Sequence, residues 1–393
     1  MKVVVIGGGS SGAVAALTAK RGGHDVIILE RNDKVLKKLL ITGNGRCNYF
    51  NDDFNTDHYC SFDKKLLKNI INEKNKDMFL SYIASLGIVP RVNNGYYYPY
   101  SNQASSIRDI FCYELERLNI KVRTLSYVND IKKNKNKFYI SCSDEIIICD
   151  KVIVSCGSKA YPKTGSDGNM YSLLEKFGHT INEISPGLVK LIGKDNYYEK
   201  WNGVRSMVTL SLYKNNNLIK QESGEMQATK DGISGICVFN LSNLIRGDLS
   251  SYQIRINFMP FCDDPSSYFD KFKNKSIYFV LEGFLNYKLV SLILLLCHID
   301  RNRSFDELSI DKKRTLISYL TSFKFNIHSL GDYNSSQICI GGVSLDEIDL
   351  DTMESKVIDG LYITGEVLDV AGACGGYNLA FAFITGLLAG GNL

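Results

Sequence analysis

The sequence predicts an α/β fold: a Rossmann-like parallel sheet assembled from both ends of the chain and interrupted by an inserted α+β domain. Three observations predict it. The chain opens on an uninterrupted apolar run, Val3-Val4-Val5-Ile6, then glycines, a small-residue helical stretch from Ala13 to Lys20, and a second run, Val26-Ile27-Ile28-Leu29. Its C-terminal stretch repeats that pattern, with Leu361-Tyr362-Ile363, a glycine loop and a helical stretch from Asn378 to Leu388. Between them the pattern changes to alternation, as in Met207 to Leu212 and Gln253 to Phe258. Strands covered on both faces read as continuous apolar runs, whereas a strand wet on one face alternates.

Length agrees with more than one domain, since 393 residues exceed one ordinary core of about 150. We expect residues 1–188 and 332–393 to form the nucleotide-binding domain. Residues 189–331 form the insert, with a β part over 189–262 and a helical part over 263–331. Apolar residues at 45% and charged residues at 22% describe an ordinary globular chain. The formal charge of +4 is small for this length and argues against a generic polyanion binder; the excess is carried by the middle of the chain. The 11 cysteines are an odd number without CxxC or metal-ligand spacing, so we expect reduced thiols, a cytoplasmic protein and no metal. Met1 leads straight into the first strand run, and the apolar stretch Leu289 to Cys297 is too short to span a bilayer, so neither secretion nor membrane insertion is expected.

The elements follow in order. A loop from Asn32 to Asn55 precedes a polar helix over Lys64 to Lys74, a more apolar one over Met78 to Leu86, and a tyrosine-rich turn from Tyr96 to Tyr100. Short β runs, Phe138 to Ser141 and Glu145 to Ile148, form a meander that returns the chain to the sheet at Lys151-Val152-Ile153-Val154. The insert continues with helical segments Ser267 to Asn274, Asn286 to Cys297 and Ser309 to Ser322.

Gly7-Gly8-Gly9-Ser10-Ser11-Gly12 is a GxGxxG set between an apolar strand and a helix. The first glycine makes the tight turn, the second admits a pyrophosphate close to the backbone, and the third lets helix and strand pack closely. The helix N-terminus adds unpaired N–H groups and a positive dipole. Glu30, at the end of the second strand, is placed to accept from a ribose diol. A dinucleotide is therefore expected, and later segments distinguish which. Val152 to Gly157 and Leu361 to Glu366 resemble the strand-turn segments of two-dinucleotide-type flavoproteins, and Gly375-Gly376-Tyr377-Asn378 opens a helix whose positive end would favour a reduced anionic flavin. FAD is the expected cofactor. No second GxGxxG with strand context occurs, so NADH or NADPH would bind only transiently, or electrons would come from another carrier or the substrate.

Four motifs carry a family resemblance: Leu39 to Asn48 (LLITGNGRCN), Ser158 to Ser166 (SKAYPKTGS), Asp231-Gly232-Ile233-Ser234-Gly235, and Gly365 to Val370 continuing to Cys374-Gly375-Gly376-Tyr377-Asn378. Together they resemble the NAD(P)/FAD-dependent oxidoreductases that include aminoacetone oxidase, a bile-acid pathway reductase and a ribosomal-RNA dihydrouridine synthase, over essentially the whole chain. The resemblance implies that Arg46 and Asn48 lie beside FAD, that the Val128 backbone meets adenine, and that Glu366, Asp369 and Gly375 to Leu379 line the flavin. The expected cofactor set is Gly7, Gly9, Ser10, Ser11, Gly12, Glu30, Arg31, Thr42, Gly45, Arg46, Asn48, Val128, Gly157, Gly365, Glu366, Asp369, Gly375, Gly376, Tyr377, Asn378 and Leu379. One departure stands out: Asp369-Val370-Ala371-Gly372-Ala373-Cys374 lacks the second acid and the proline of the family's pattern.

Flavin passes hydride through N5, and reducing an activated C=C bond also requires a proton donor. Cys47, Cys374, Tyr161 and Tyr377 are the candidates, and Cys47→Ala is predicted to slow reoxidation of the flavin by substrate. Lys163 either meets an anionic substrate or is a solvated turn lysine. The five histidines, His24, His58, His179, His298 and His328, fall outside the motifs and are expected in surface or packing roles. The leading expectation is reduction of an activated double bond in a small-molecule substrate. The alternatives are reduction of uridine in RNA, where the base must be splayed out, and oxygen-dependent oxidation of a small amine.

Overall fold

A computed structural model describes residues 1–143 and 145–393. The chain divides into two compact units, one of residues 1–187 and 333–393 and the other of residues 188–332.

In the first unit a parallel sheet runs in the order Leu361–Ile363, Lys151–Val154, Lys2–Ile6, Asp25–Leu29, Lys121–Arg123. Strands from both chain ends therefore lie side by side, with Val154 in register with Ile6 on one edge and Ile363 on the other. Val3, Val4, Val5, Val152, Ile153, Val154, Leu361 and Ile363 are fully buried, which explains why these strands read as unbroken apolar runs. The antiparallel meander Val128–Asn134, Lys137–Cys142, Glu145–Cys149 feeds the strand Lys151–Val154.

The helices Ser10–Arg21 and Tyr377–Gly391 pack directly together. Glycines permit it: a Cβ at Gly386 would fall 2.4 Å from the Ser11 carbonyl oxygen, and one at Gly390 would fall 2.4 Å from that of Ala15. The stretch expected as one polar helix over Lys64 to Lys74 is instead a short 3-10 turn, Lys64–Asn69, followed by the helix Glu73–Ser85. Asn72 is the cause. Its side chain accepts from the Asn75 N–H and so starts a new helix in the middle of the expected one.

The second unit is a closed barrel in the order Leu191–Gly193, Gly232–Ser234, Asn217–Thr229, Arg205–Lys214, Tyr252–Asn257, Phe323–Leu330. Its last strand falls in the stretch expected to be helical. Phe323, Phe325 and Ile327 point inward while Lys324, Asn326 and His328 are exposed, a period of two carried on a strand that follows several helices. The helices Pro265–Asp270, Ile277–Glu282, Tyr287–Leu296 and Ile310–Thr321 lie between the last two strands. Among the described residues no helix is long and apolar enough to cross a membrane, and no cluster of His, Cys, Asp and Glu is placed to hold a metal.

Candidate functional site

The glycine turn after the first strand is sterically obligatory. Gly7 has φ +100°, and a Cβ there would lie 2.6 Å from the Ser155 carbonyl oxygen. At Gly12 a Cβ would lie 2.0 Å from the Gly7 carbonyl oxygen, whereas at Gly9 it would meet nothing within 4 Å. Gly9 caps the helix Ser10–Arg21 without any side-chain hydrogen bond, so the positive end of the helix opens beside a clear stretch of backbone.

Glu30 is buried and held rigidly. One carboxylate oxygen accepts from the Gly8 N–H at 2.8 Å, and the other accepts from the Asn32 backbone and side-chain amides, both at 2.8 Å. Remaining lone pairs are available to hydroxyl donors. Arg31 pairs with Asp167 and lies over the Tyr127 ring at 5.0 Å. The Ser126 N–H donates to the Glu30 carbonyl, so Glu30, Arg31, Tyr127 and Val128 are brought to one place by the chain returning alongside the second strand.

The loop after Leu39 contains residues in left-handed conformation: Gly43 at φ 55°, Asn44 at φ 60°, Gly45 at φ 81° and Cys47 at φ 58°. Thr42 closes its base by donating to the Leu39 carbonyl at 2.7 Å. Gly43 to Arg46 are exposed, and Arg46 lies over the Tyr98 ring at 5.4 Å. The Asn48 side-chain oxygen is buried with no hydrogen-bond partner. Cys47, the first candidate proton donor, is 0% exposed, and burial pushes its thiol up to about 12. Cys47 thus packs into the apolar core of its unit.

At the C-terminal end, Gly365 meets two helices: its N–H donates to Thr385 of Tyr377–Gly391, and a Cβ would lie 2.6 Å from the hydroxyl oxygen of Ser11 in Ser10–Arg21. Glu366 is tied by Ser158 at 2.6 Å, by the Cys339 N–H at 3.0 Å and by Lys38 at 3.1 Å. Lys38 was not singled out from sequence, because the loop holding it gives no sign of what it meets hundreds of residues later. Asp369 is buried, with one oxygen accepting from the Phe62 N–H and from Asn182 and the other without a partner. Gly157 has φ +72° and would place a Cβ 2.5 Å from the Ser166 hydroxyl oxygen, closing the SKAYPKTGS turn on itself.

Gly376, at φ 98°, opens the helix Tyr377–Gly391 without a side-chain cap. Asn378 clamps the preceding turn, accepting from the Gly372 N–H at 2.7 Å and donating to the Gly372 and Ala373 carbonyls. Leu379 is half-buried behind it. Tyr377 is buried and its hydroxyl is pushed well above the ordinary range by burial and by Asp53 and Tyr96. Cys374 is half-buried, with its thiol raised by burial. Tyr161 adopts φ 52°, and its N–H donates to the Tyr333 carbonyl.

The histidines are more engaged than expected. His58 contacts Asp53 and Tyr377 beside the Gly375 turn, and buried His179 bridges Glu347 and Ser355 at 2.9 Å each.

These residues fit FAD. An uncapped helix end behind an open glycine suits a pyrophosphate, Glu30 suits a ribose, and the unpartnered Asn48 oxygen suits an amide donor such as a flavin imide. Bound there, FAD supplies two-electron hydride chemistry. The model of the HI0933-like protein Rossmann domain family matches residues 1–392. The chain is 36% identical to a 3-dehydro-bile acid delta(4,6)-reductase of Clostridium scindens, over 99% of this chain and 98% of that protein. It is 26% identical to the ribosomal RNA dihydrouridine synthase of Escherichia coli, over 97% of this chain and 94% of the relative. A flavocytochrome c3 fumarate reductase in an open conformation shares the fold at a TM-score of 0.50 and 14% identity, over 100% of this chain and 77% of that one. The chain belongs to the HI0933-like Rossmann-domain family and is an FAD-dependent oxidoreductase.

Proposed function

We propose that the protein reduces an activated C=C bond, conjugated to a carbonyl, in a small polycyclic substrate. The observation that carries this reading is the near end-to-end match, at 36% identity, to a reductase of 3-dehydro-bile acids. A ketone conjugated through a 4,6-diene is electron-poor at its terminal carbon and accepts hydride there, while a proton completes the adjacent carbon. In this reading the Gly9, Ser10 and Ser11 backbone holds the pyrophosphate, and Gly7 and Gly12 shape the turn. Glu30, Arg31 and Val128 hold the adenosine end. Thr42, Gly45, Arg46, Asn48, Gly157 and the segment from Gly365 to Leu379 hold the flavin end, with Glu366 acting through Lys38 and Ser158.

The test is anaerobic. Purified protein is reduced with NADH or NADPH while flavin absorbance is followed, and a 3-oxo-4,6-diene bile acid is then added. Return of the oxidised spectrum with a product heavier by two hydrogens is expected; a flavin that stays reduced overturns the reading. The second reading, uridine reduction in ribosomal RNA, draws on the 26% match to the dihydrouridine synthase. It predicts that deleting the gene removes a dihydrouridine, and an unchanged uridine map would remove it.

A further inference from the structure

We propose that His58, oriented by Asp53, is the proton donor of this reduction, with Asp53 as its positioning residue. The pair packs against the turn that opens the last helix. His58 Nε2 lies 2.6 Å from an Asp53 carboxylate oxygen. The imidazole stacks on the Tyr377 ring, with centroids 4.5 Å apart and planes at 16°. The backbone is fixed from both sides: the Ala373 N–H donates to the His58 carbonyl at 2.7 Å, and Tyr59–Cys60 pairs with Ala371–Gly372. Asp53 is held as well. Its N–H donates to Asn51, whose own amide donates to the Gly375 carbonyl, and Asn55 donates to the other carboxylate oxygen. A solvated surface histidine has no need of this scaffold.

The His58 side chain is 27% exposed, so it reaches solvent for reprotonation, and its Nδ1 has no hydrogen-bond partner among the described residues. Burial raises the Cys374 thiol and the Tyr59 and Tyr377 hydroxyls, and Cys47 is sealed in the core. Exposed rings border the same segment: Tyr96, which a Cβ at Gly375 would approach to 3.0 Å, and Phe62, whose N–H donates to Asp369. An aromatic rim beside a carboxylate-backed imidazole matches the apolar enone rings of such a substrate.

The step balances within the proposed reduction, on which this inference rests. The substrate's terminal alkene carbon gains hydride from the reduced flavin, the C=C π pair moves to the neighbouring carbon, and that pair takes the Nδ1 proton of cationic His58. The ring becomes neutral, keeps its Nε2–H on Asp53, and recovers a proton from water.

Stopped-flow reoxidation of the prereduced protein by the 3-oxo-4,6-diene acid tests the assignment. His58→Gln is expected to slow it about 100-fold or more, with FAD content and dithionite reduction unchanged and with partial rescue by imidazole in His58→Ala. Asp53→Asn, which keeps the ring, is expected to slow it about tenfold, and it decides the matter if His58→Gln fails to hold FAD. A second readout needs no turnover: long-range proton–nitrogen spectra should place the proton of the neutral His58 ring on Nε2. Wild-type rates in His58→Gln or in Asp53→Asn, or an Nδ1–H neutral ring in wild type, overturn the proposal while leaving the reductase reading intact. Failure of wild type itself to be reoxidised overturns both.

Discussion

Glu30 shows how one side chain can tie two loops together. Its two oxygens take three N–H donors from Gly8 and Asn32, so the glycine turn and the loop at Asn32 are locked to each other through one carboxylate. Hydrogen bonds to a charged group contribute about 1.5–3 kcal/mol each, and buried donors left unpaired cost a comparable amount. Glu30→Ala is therefore expected to weaken FAD binding by about 100-fold or more, measured by quenching of flavin fluorescence on titration, with Glu30→Gln intermediate. Cys47 makes the opposite case. Sequence made it a candidate proton donor because reducing a C=C bond needs one facing the flavin, and the thiol is 0% exposed and raised by burial to about 12. Iodoacetamide at pH 8 should leave Cys47 unmodified in the folded protein, read by mass spectrometry of its peptide, and label it only after denaturation.

At the scale of elements, the contact between the first and last helices is made by missing side chains. Gly386→Ala would drive a Cβ onto the Ser11 backbone, and shifting a packed helix to admit it costs about 1–3 kcal/mol. Gly391→Ala, whose Cβ would meet only the Thr18 methyl at 3.8 Å, should cost nothing. Denaturant midpoints of the two variants check the contrast. A second brace joins the start of the strand Ile181–Gly187 to the turn before Leu361 through His179, Glu347 and Ser355. Burial works against the charged Glu347, but the Thr180 donors and His179 outweigh it and hold the carboxyl below its ordinary 4.5. A depressed folded-state pKa gives stability that is present above the unfolded value and lost as pH falls through the folded one. Glu347→Gln should thus unfold more easily than wild type at pH 7, with the two curves converging as pH falls through the lowered Glu347 value. The parallel strands were legible because burial on both faces writes an unbroken apolar run. The His179 brace and the Asp53–His58 pair were not, because each is a single polar residue whose partner comes from a distant segment, and no local periodicity encodes that meeting.

At the scale of the whole molecule, two cores stand where the sequence showed two patterns. Residues 188–332 enclose their own apolar cluster, in which Trp201 stacks on Tyr198 and packs against Phe323, while the other unit buries its sheet and helices separately. Near Val189 alternation replaces continuous runs, which is the change of pattern the sequence shows there. The return to the barrel at Phe323 was not legible, since the intervening helices hid a short alternating strand. The chain's single tryptophan lies in the insert, whereas the residues proposed to hold FAD lie in the other unit. Each unit therefore carries its own probe. Phe323→Ala removes a fully buried ring from the barrel and should destabilise the insert by about 3–5 kcal/mol. Tryptophan emission should then shift at a lower urea concentration, while flavin release, followed by its fluorescence, keeps the wild-type midpoint. Coincident transitions in the variant would show instead that the two cores unfold as one cooperative body.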